Sequence, residues 1–203
     1  MGKNIGLIPL GFTEIWSASF NSAIIISAGD NAEFIAFCGI NLDITIFNKE
    51  NVYLPAFLKT YPFLNVEVEN KDKKVNSLIA IDNNPKYVAK DKKIFILDKE
   101  KNLSKQVATK VELIKELNSQ RAVCRRIIAE LKKLDLLIKK DLRVKIEGKE
   151  EKVILEEFYV INIEKLLKLD DKIIAGFARK GWMGIFDAHL KSISNFEKIL
   201  KAN

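Results

Sequence analysis

From Ser104 to Ile138 the chain carries neither glycine nor proline, and it is rich in alanine, leucine, lysine, glutamate and arginine. Such a stretch has few ways to stop once it starts coiling, so it predicts one long helix, with Ser104 or a close neighbour as its N-cap. At 100° per residue, Leu113, Leu117, Cys124, Ile127, Ile128, Leu131, Leu134 and Ile138 fall on one side. Lys115, Arg121, Arg125, Arg126, Lys132 and Lys133 fall on the other. A helix so divided has to bury its apolar stripe against other elements, and everything else in the chain has to supply that surface.

The segment also holds the charge. Residues 1–100 contain 11 Lys against 12 Asp and Glu with no arginine, and residues 146–203 balance at 10 against 10. Residues 101–145 carry 13 Lys and Arg against 5 Asp and Glu, a net of +8 in a protein whose total is +7. A basic face of this kind can meet nucleic acid, an anionic membrane surface or an acidic protein, or it can simply be solvated. The solvated reading is favoured, as for any surface helix. Nucleic acid is disfavoured because no aromatic residue is interleaved with the cations to stack on bases.

Before the helix the pattern is that of strands: Ala23 to Ser27, Phe34 to Phe37, Ile44 to Phe47, Val66 to Val68, Leu78 to Ile81 and Ile94 to Leu97. They are separated by turn chemistry at Gly29-Asp30-Asn31, Asn48 to Asn51, Asn70 to Lys73 and Asp82 to Pro85. No helix of crossover length lies between them, which favours antiparallel pairing. After the helix, Leu142 to Lys149 and Val153 to Val160 read as a hairpin turning at Gly148. Short helices follow at Ile163 to Leu169 and from Asp170 or Asp171 to Lys180, stopped by Gly181. A last helix carries Ile185, Phe186, His189, Leu190, Ile193, Phe196 and Leu200 at spacings of three and four. The expected fold is therefore α+β: a mainly antiparallel β N-terminal half packed with a helical C-terminal half containing the long amphipathic helix and a β-hairpin. No linker divides the chain, so residues 1–203 are expected to form a single compact domain, β-rich over 1–100 and helical with one hairpin over 101–203.

Composition removes many functions. Cys38 and Cys124 stand far apart in no C-x-x-C pattern, which argues against a disulfide scaffold and a cysteine zinc site. His189 is the one histidine, so no site can use two imidazoles, and a lone imidazole is expected to be a packed side chain rather than a general base. Gly6, Gly11, Gly176 and Gly181 match neither a Walker loop nor a dinucleotide fingerprint, and no nucleophile elbow or H-E-x-x-H occurs. The paired acids Glu150-Glu151, Glu156-Glu157 and Asp170-Asp171 read as solvated or capping groups. No metal and no cofactor is implied. No signal peptide is evident, since Pro9, Gly11 and Glu14 interrupt the apolar start, and no run of about 18 apolar residues would span a bilayer. The expected location is the cytoplasm, with surface association only by a signal-independent route.

The densest aromatic stretch, Tyr53 to Phe63, holds four aromatics and two prolines in eleven residues. It reads as a hydrophobic staple or as an exposed platform for a peptide, the staple being favoured. Trp16 and Trp182 are further anchor candidates, with core or half-buried packing favoured for both. The candidate binding residues are Tyr53, Pro55, Tyr61, Phe63, Asp82, Arg121, Arg125, Lys132, Trp182 and His189, with no catalytic residue among them.

Tyr53, Leu54, Pro55, Ala56, Leu58, Lys59, Tyr61, Pro62 and Phe63 resemble a pattern of the bacterial SapC-like family, named for a protein associated with paracrystalline surface layers. Ile81-Asp82, Ile96-Leu97-Asp98 and Leu136-Leu137 follow in family order, as do Tyr159, Ile161, Glu164 and Leu166 with shifted spacing. Ala188, His189, Leu190, Ser192, Ile193 and Asn195 close the resemblance, which covers about residues 24–200. The sequence departs from the family at Glu157 and Phe158, where the family has a glycine, and in a shorter N-terminal region. The resemblance implies a non-enzymatic accessory or interaction protein associated with a surface layer or its export. Its expected partner is a protein or peptide with an acidic surface, and the chain itself is expected to be a monomer or homodimer. The alternative is a small-ligand-binding protein or enzyme with a pocket between sheet and helices near His189, Tyr53 and Asp82.

Overall fold

In the computed structural model, which describes residues 6–40, 47, 50–69, 75–83, 95–144 and 151–202, the chain is α+β. It begins with β1 (Gly6–Pro9), a 3-10 turn (Phe12–Glu14), α1 (Ile15–Ala18), β2 (Ala23–Ile26), β3 (Phe34–Gly39) and α2 (Ala56–Thr60). Next come β4 (Phe63–Glu69), β5 (Val75–Ile81), the long α3 (Lys105–Lys133), β6 (Leu137–Val144) and β7 (Lys152–Ile161). Four helices finish it: α4 (Ile163–Leu166), α5 (Asp171–Arg179), α6 (Trp182–Ser192) and α7 (Asn195–Ala202). Contacts divide the chain into two units, one of residues 1–55 with 120–203 and one of residues 56–119.

The larger unit is built on a five-stranded antiparallel sheet in the order β1-β3-β2-β7-β6. The hairpin from the second half of the chain thus completes the sheet begun by the first, through the pairing of Ile26 with Tyr159. Ala23, Ile25 and Phe37 on one face meet Phe158, Phe196 and Ile199, while Ile24, Ile26, Phe34 and Ala36, pointing the other way, are also fully buried. Burial on both faces is why β2 reads as a continuous apolar run rather than an alternation. At the sheet edge β1 tolerates Pro9, which pairs opposite Ile35. The smaller unit folds a β4–β5 ribbon over the first half of α3, with Phe63, Val107 and Ile114 at its centre and Ile81 and Val111 beside them.

Several sequence expectations move. The long helix ends at Lys133 rather than Ile138, because Asp135 takes a left-handed conformation (φ 55°). The Asp135 N–H then bonds the Lys132 carbonyl at 3.0 Å and the Leu136 N–H bonds that of Leu131 at 2.9 Å. This is a Schellman stop with aspartate in the usual glycine place, and it seats fully buried Leu131 and Leu136 together. Ile138 consequently belongs to β6, which starts five residues before the expected Leu142. The expected last helix is two helices. The chain turns at Ile193 so that the Asn195 amide can donate to the carbonyls of Ser19 (2.7 Å) and Ser22 (3.0 Å). The expected strand ending at Leu97 is a turn with one isolated bridge to Leu103, since the Asp98 carboxylate gathers the N–H groups of Glu100 and Asn102. The helix expected over Ile163 to Leu169 ends at Leu166. The expected strand residues Ile44 to Thr45 and Ile46, the Asn70 to Lys73 turn, Ile94 and the Gly148 turn lie outside the described residues.

Candidate functional site

Most of the expected binding residues are engaged within the fold. In the larger unit Glu33, at the entry to β3, takes Arg121 on Oε2 at 2.7 Å, and Arg125 on Oε1 at 3.0 Å from Nε and 2.6 Å from Nη2. Lys132 Nζ donates to the Gly29 carbonyl at 2.6 Å. These three cations therefore tie α3 to the two ends of the β2–β3 connection. Beside them, buried Glu14 accepts the Gly11 N–H at 2.8 Å and the Tyr53 hydroxyl at 2.9 Å. Burial, then the Glu14 charge, drives the Tyr53 hydroxyl well above the usual phenol range. The Cys124 thiol lies among the same groups. Burial first, then Glu33 and Glu14, push it up to about 12, so it stays a protonated, unreactive thiol. Pro55 is buried.

Tyr61, Phe63 and Asp82 belong to the smaller unit. The Tyr61 hydroxyl donates to Asp82 Oδ2, the Asp82 N–H donates to the Pro62 carbonyl at 2.9 Å, and Phe63 lies in the ribbon core. The Tyr61 carbonyl accepts Lys110 Nζ at 2.9 Å, and the Lys59 carbonyl accepts it at 2.7 Å; burial lowers that ammonium's pKa. The aromatic stretch is thus turned inward at both ends, Tyr53 to a carboxylate and Phe63 to a core.

His189 is fully buried on α6. Its Nε2 accepts the Ile161 N–H at 3.1 Å, its ring meets Phe34 edge-on at 6.0 Å, and Nδ1 has no hydrogen-bond partner among the described residues. Burial pushes its pKa down to about 4, with the backbone of Ile24 working weakly against that. A neutral imidazole whose basic nitrogen is already occupied by a backbone amide has no lone pair for a substrate. His189, Tyr53 and Asp82 each take a different partner.

Trp182 differs from these. Asp170 caps α5 through the Lys172 N–H at 2.8 Å, and Gly181, left-handed at φ 71°, breaks α5 from α6. That break sets Lys180 and Trp182 on either side of one turn. The indole stacks on buried Phe177 at 5.6 Å and 27°, Phe177 meets Phe186 edge-on at 5.5 Å, and Lys180 Nζ stands 4.5 Å from the indole centroid. Facing them across a groove of about 720 Å³ is the outer stripe of α3: Val123, Arg126, Ala129, Glu130 and Lys133. Arg126, Lys133 and Lys180 are exposed and form no ion pair with another described residue. Three cations against one carboxylate, around a half-buried indole on a rigid aromatic stack, can hold an anionic chain carrying an apolar group. The sequence puts Arg126 and Lys133 on the basic face of the helix and favours packing for Trp182, without joining them. The joining signal is the Lys180-Gly181-Trp182 turn, whose position relative to α3 is tertiary.

The SapC family model matches residues 1–199, so this chain belongs to the SapC family. Neither the curated proteins nor the solved structures contain a match. No helix among the described residues is long and apolar enough to cross a membrane.

Proposed function

We propose that this SapC-family chain is a non-enzymatic accessory protein of a bacterial surface layer or of its export, acting by binding a polypeptide. The observation that carries this reading is the groove between α3 and Trp182. Its cations have no ion pair among the described residues, whereas Arg121 and Arg125 on the neighbouring stripe of the same helix share Glu33. Three like charges left beside an aromatic anchor repel one another, which an acidic partner outside the fold would relieve. The surface-layer association comes from the family resemblance, and the groove supplies a place for a partner. The enzymatic reading has less behind it, because the imidazole and both thiols are buried and Cys38, like Cys124, is held protonated by burial.

The test is photocrosslinking in the native lysate from a benzophenone amino acid at Ala129, which is exposed on the groove floor, with Lys168, exposed and outside the groove lining, as control. Expected are adducts to one or a few polypeptides from position 129, absent from position 168 and lost when Arg126→Gln and Lys133→Gln are added. Adducts identical from both positions, or none from Ala129, overturn the assignment.

A further inference from the structure

We infer that the Trp182 groove selects an extended acidic peptide segment in which two carboxylates three residues apart flank an apolar side chain. This rests on the polypeptide-binding reading above and adds the ligand's chemistry and spacing. Arg126 and Lys133 are seven residues apart on α3, which at about 1.5 Å per residue separates them by roughly 10 Å along the helix. In an extended chain of the polyproline II kind, which rises about 3.1 Å per residue with about three residues per turn, three residues span that distance and bring the side chain back to the same face. Carboxylates at positions one and four of the segment therefore align with the two cations.

Between the cations the groove changes character. Ala129 gives a small apolar floor on the α3 side, extended by Val123 one turn before Arg126, and the Trp182 face stands opposite, so the space beside Ala129 accepts an aliphatic or aromatic side chain. Glu130 also lies between Arg126 and Lys133, four residues after the one and three before the other. Its charge opposes an acid at the centre of the segment and so places the acids at the two ends. Lys180 adds a third cation at the indole rim, and Trp182 opens α6, whose N-cap Gly181 brings no side-chain cap, so the positive end of that helix stands at the same place. A phosphodiester chain would meet the cations equally well. It would carry a charge at every step, including beside Glu130, and the groove offers one indole rather than a row of stacking platforms.

The probe is a synthetic ten-residue peptide with two glutamates three residues apart around a leucine, read by Trp182 fluorescence in a Trp16→Phe background so that one indole reports. Controls are a peptide of the same composition with adjacent glutamates, one with both glutamates replaced by glutamine, and a ten-nucleotide oligothymidylate. Expected is saturable binding with a shifted emission maximum, weaker by about fivefold for adjacent acids and by about tenfold for the glutamine peptide. It should weaken by about tenfold in an Arg126→Gln, Lys133→Gln protein that keeps wild-type urea unfolding. Equal binding of the two acidic peptides, no loss in the double variant, or tighter binding of the oligothymidylate overturns the inference. Crosslinks from Ala129 to a polypeptide lacking such acids would overturn it while leaving the polypeptide-binding reading standing, whereas absence of any crosslink removes both.

Discussion

Arg125 approaches Glu33 side-on, delivering both Nε (3.0 Å) and Nη2 (2.6 Å) to the single oxygen Oε1, which leaves Oε2 for Arg121. One carboxylate thus fastens two successive turns of α3 to the start of β3, with the Glu33 side chain only 10% exposed. Glu33→Gln keeps the shape and removes the charge, stranding two guanidinium groups against each other. A fully buried network loses about 3 to 5 kcal/mol when one partner goes, and the partial exposure of both arginines screens some of that. The expected loss is about 2 kcal/mol, measured by urea unfolding. A loss below a few tenths would mean the pairs are solvent-screened ornaments. Charge reversal at Arg121 or Arg125 is expected to lower stability, so effects of such variants on binding cannot be read as contact effects.

His189 makes stability depend on pH in a defined window. Its folded pKa, near 4, lies below the ordinary 6.5, so the unfolded chain binds the proton first. The contribution is fully present above about pH 6.5, is lost as pH falls toward 4, and is flat below. A shift of that size corresponds to about 3 kcal/mol, of which about 2 should disappear between pH 7 and 5. His189→Gln retains an acceptor for the Ile161 N–H and cannot titrate. It should start less stable at pH 7 and lose about 2 kcal/mol less than wild type on going to pH 5. Parallel pH profiles for the two proteins would show that the ring is not held neutral by burial.

The elements that could be read from sequence are those whose signal is local. The long helix is visible because nothing from Ser104 to Lys133 can break it, and the α5 stop is visible because Gly181 can take φ 71°. Its true end is invisible because an aspartate, Asp135, does the work of a glycine, and only the burial of Leu131 against Leu136 justifies that conformation. Likewise the two-helix ending depends on Asn195 finding the carbonyls of Ser19 and Ser22, which are distant in sequence. The basic face shows the same division. Sequence locates the cations of α3, but Glu33 and Gly29 decide which of them are used internally, and only the fold reveals that Arg126 and Lys133 are left beside Trp182.

Gly11 is fixed by close approach. A Cβ there would stand 2.5 Å from Gln120 Oε1, 3.0 Å from Gln120 Cβ and 3.2 Å from Glu14 Oε2. Gln120 cannot swing aside freely, because its Oε1 accepts the Thr13 hydroxyl at 2.6 Å. Gly11→Ala should therefore cost about 1 to 3 kcal/mol, the usual range for overpacking, despite alanine's lower unfolded-state entropy. Pairing it with Gln120→Ala should restore part of the loss, and a double-mutant cycle measures how much. Additive losses would place the strain elsewhere.

Glu157 holds a backbone conformation that strand residues rarely adopt. It is left-handed (φ 55°) inside β7, opposite the register shift between Lys140 and Leu142, and its N–H donates to Asp141 Oδ1 at 3.0 Å. An L-residue pays about 1 to 2 kcal/mol for that conformation, and the exposed Lys139–Glu157 pair at 2.5 Å offsets little of it. Glycine would relieve the strain but add unfolded-state freedom of about 0.5 to 1 kcal/mol, so Glu157→Gly is expected to be neutral or slightly stabilising. Valine, stiff at χ1 and branched at Cβ, cannot adopt the conformation cheaply, so Glu157→Val should cost about 1 to 2 kcal/mol although valine is the better strand former. Unfolding midpoints for the three proteins decide between backbone and propensity: the order glycine, glutamate, valine follows from the left-handed backbone, and the reverse order would mean that the hairpin has no such bulge in solution.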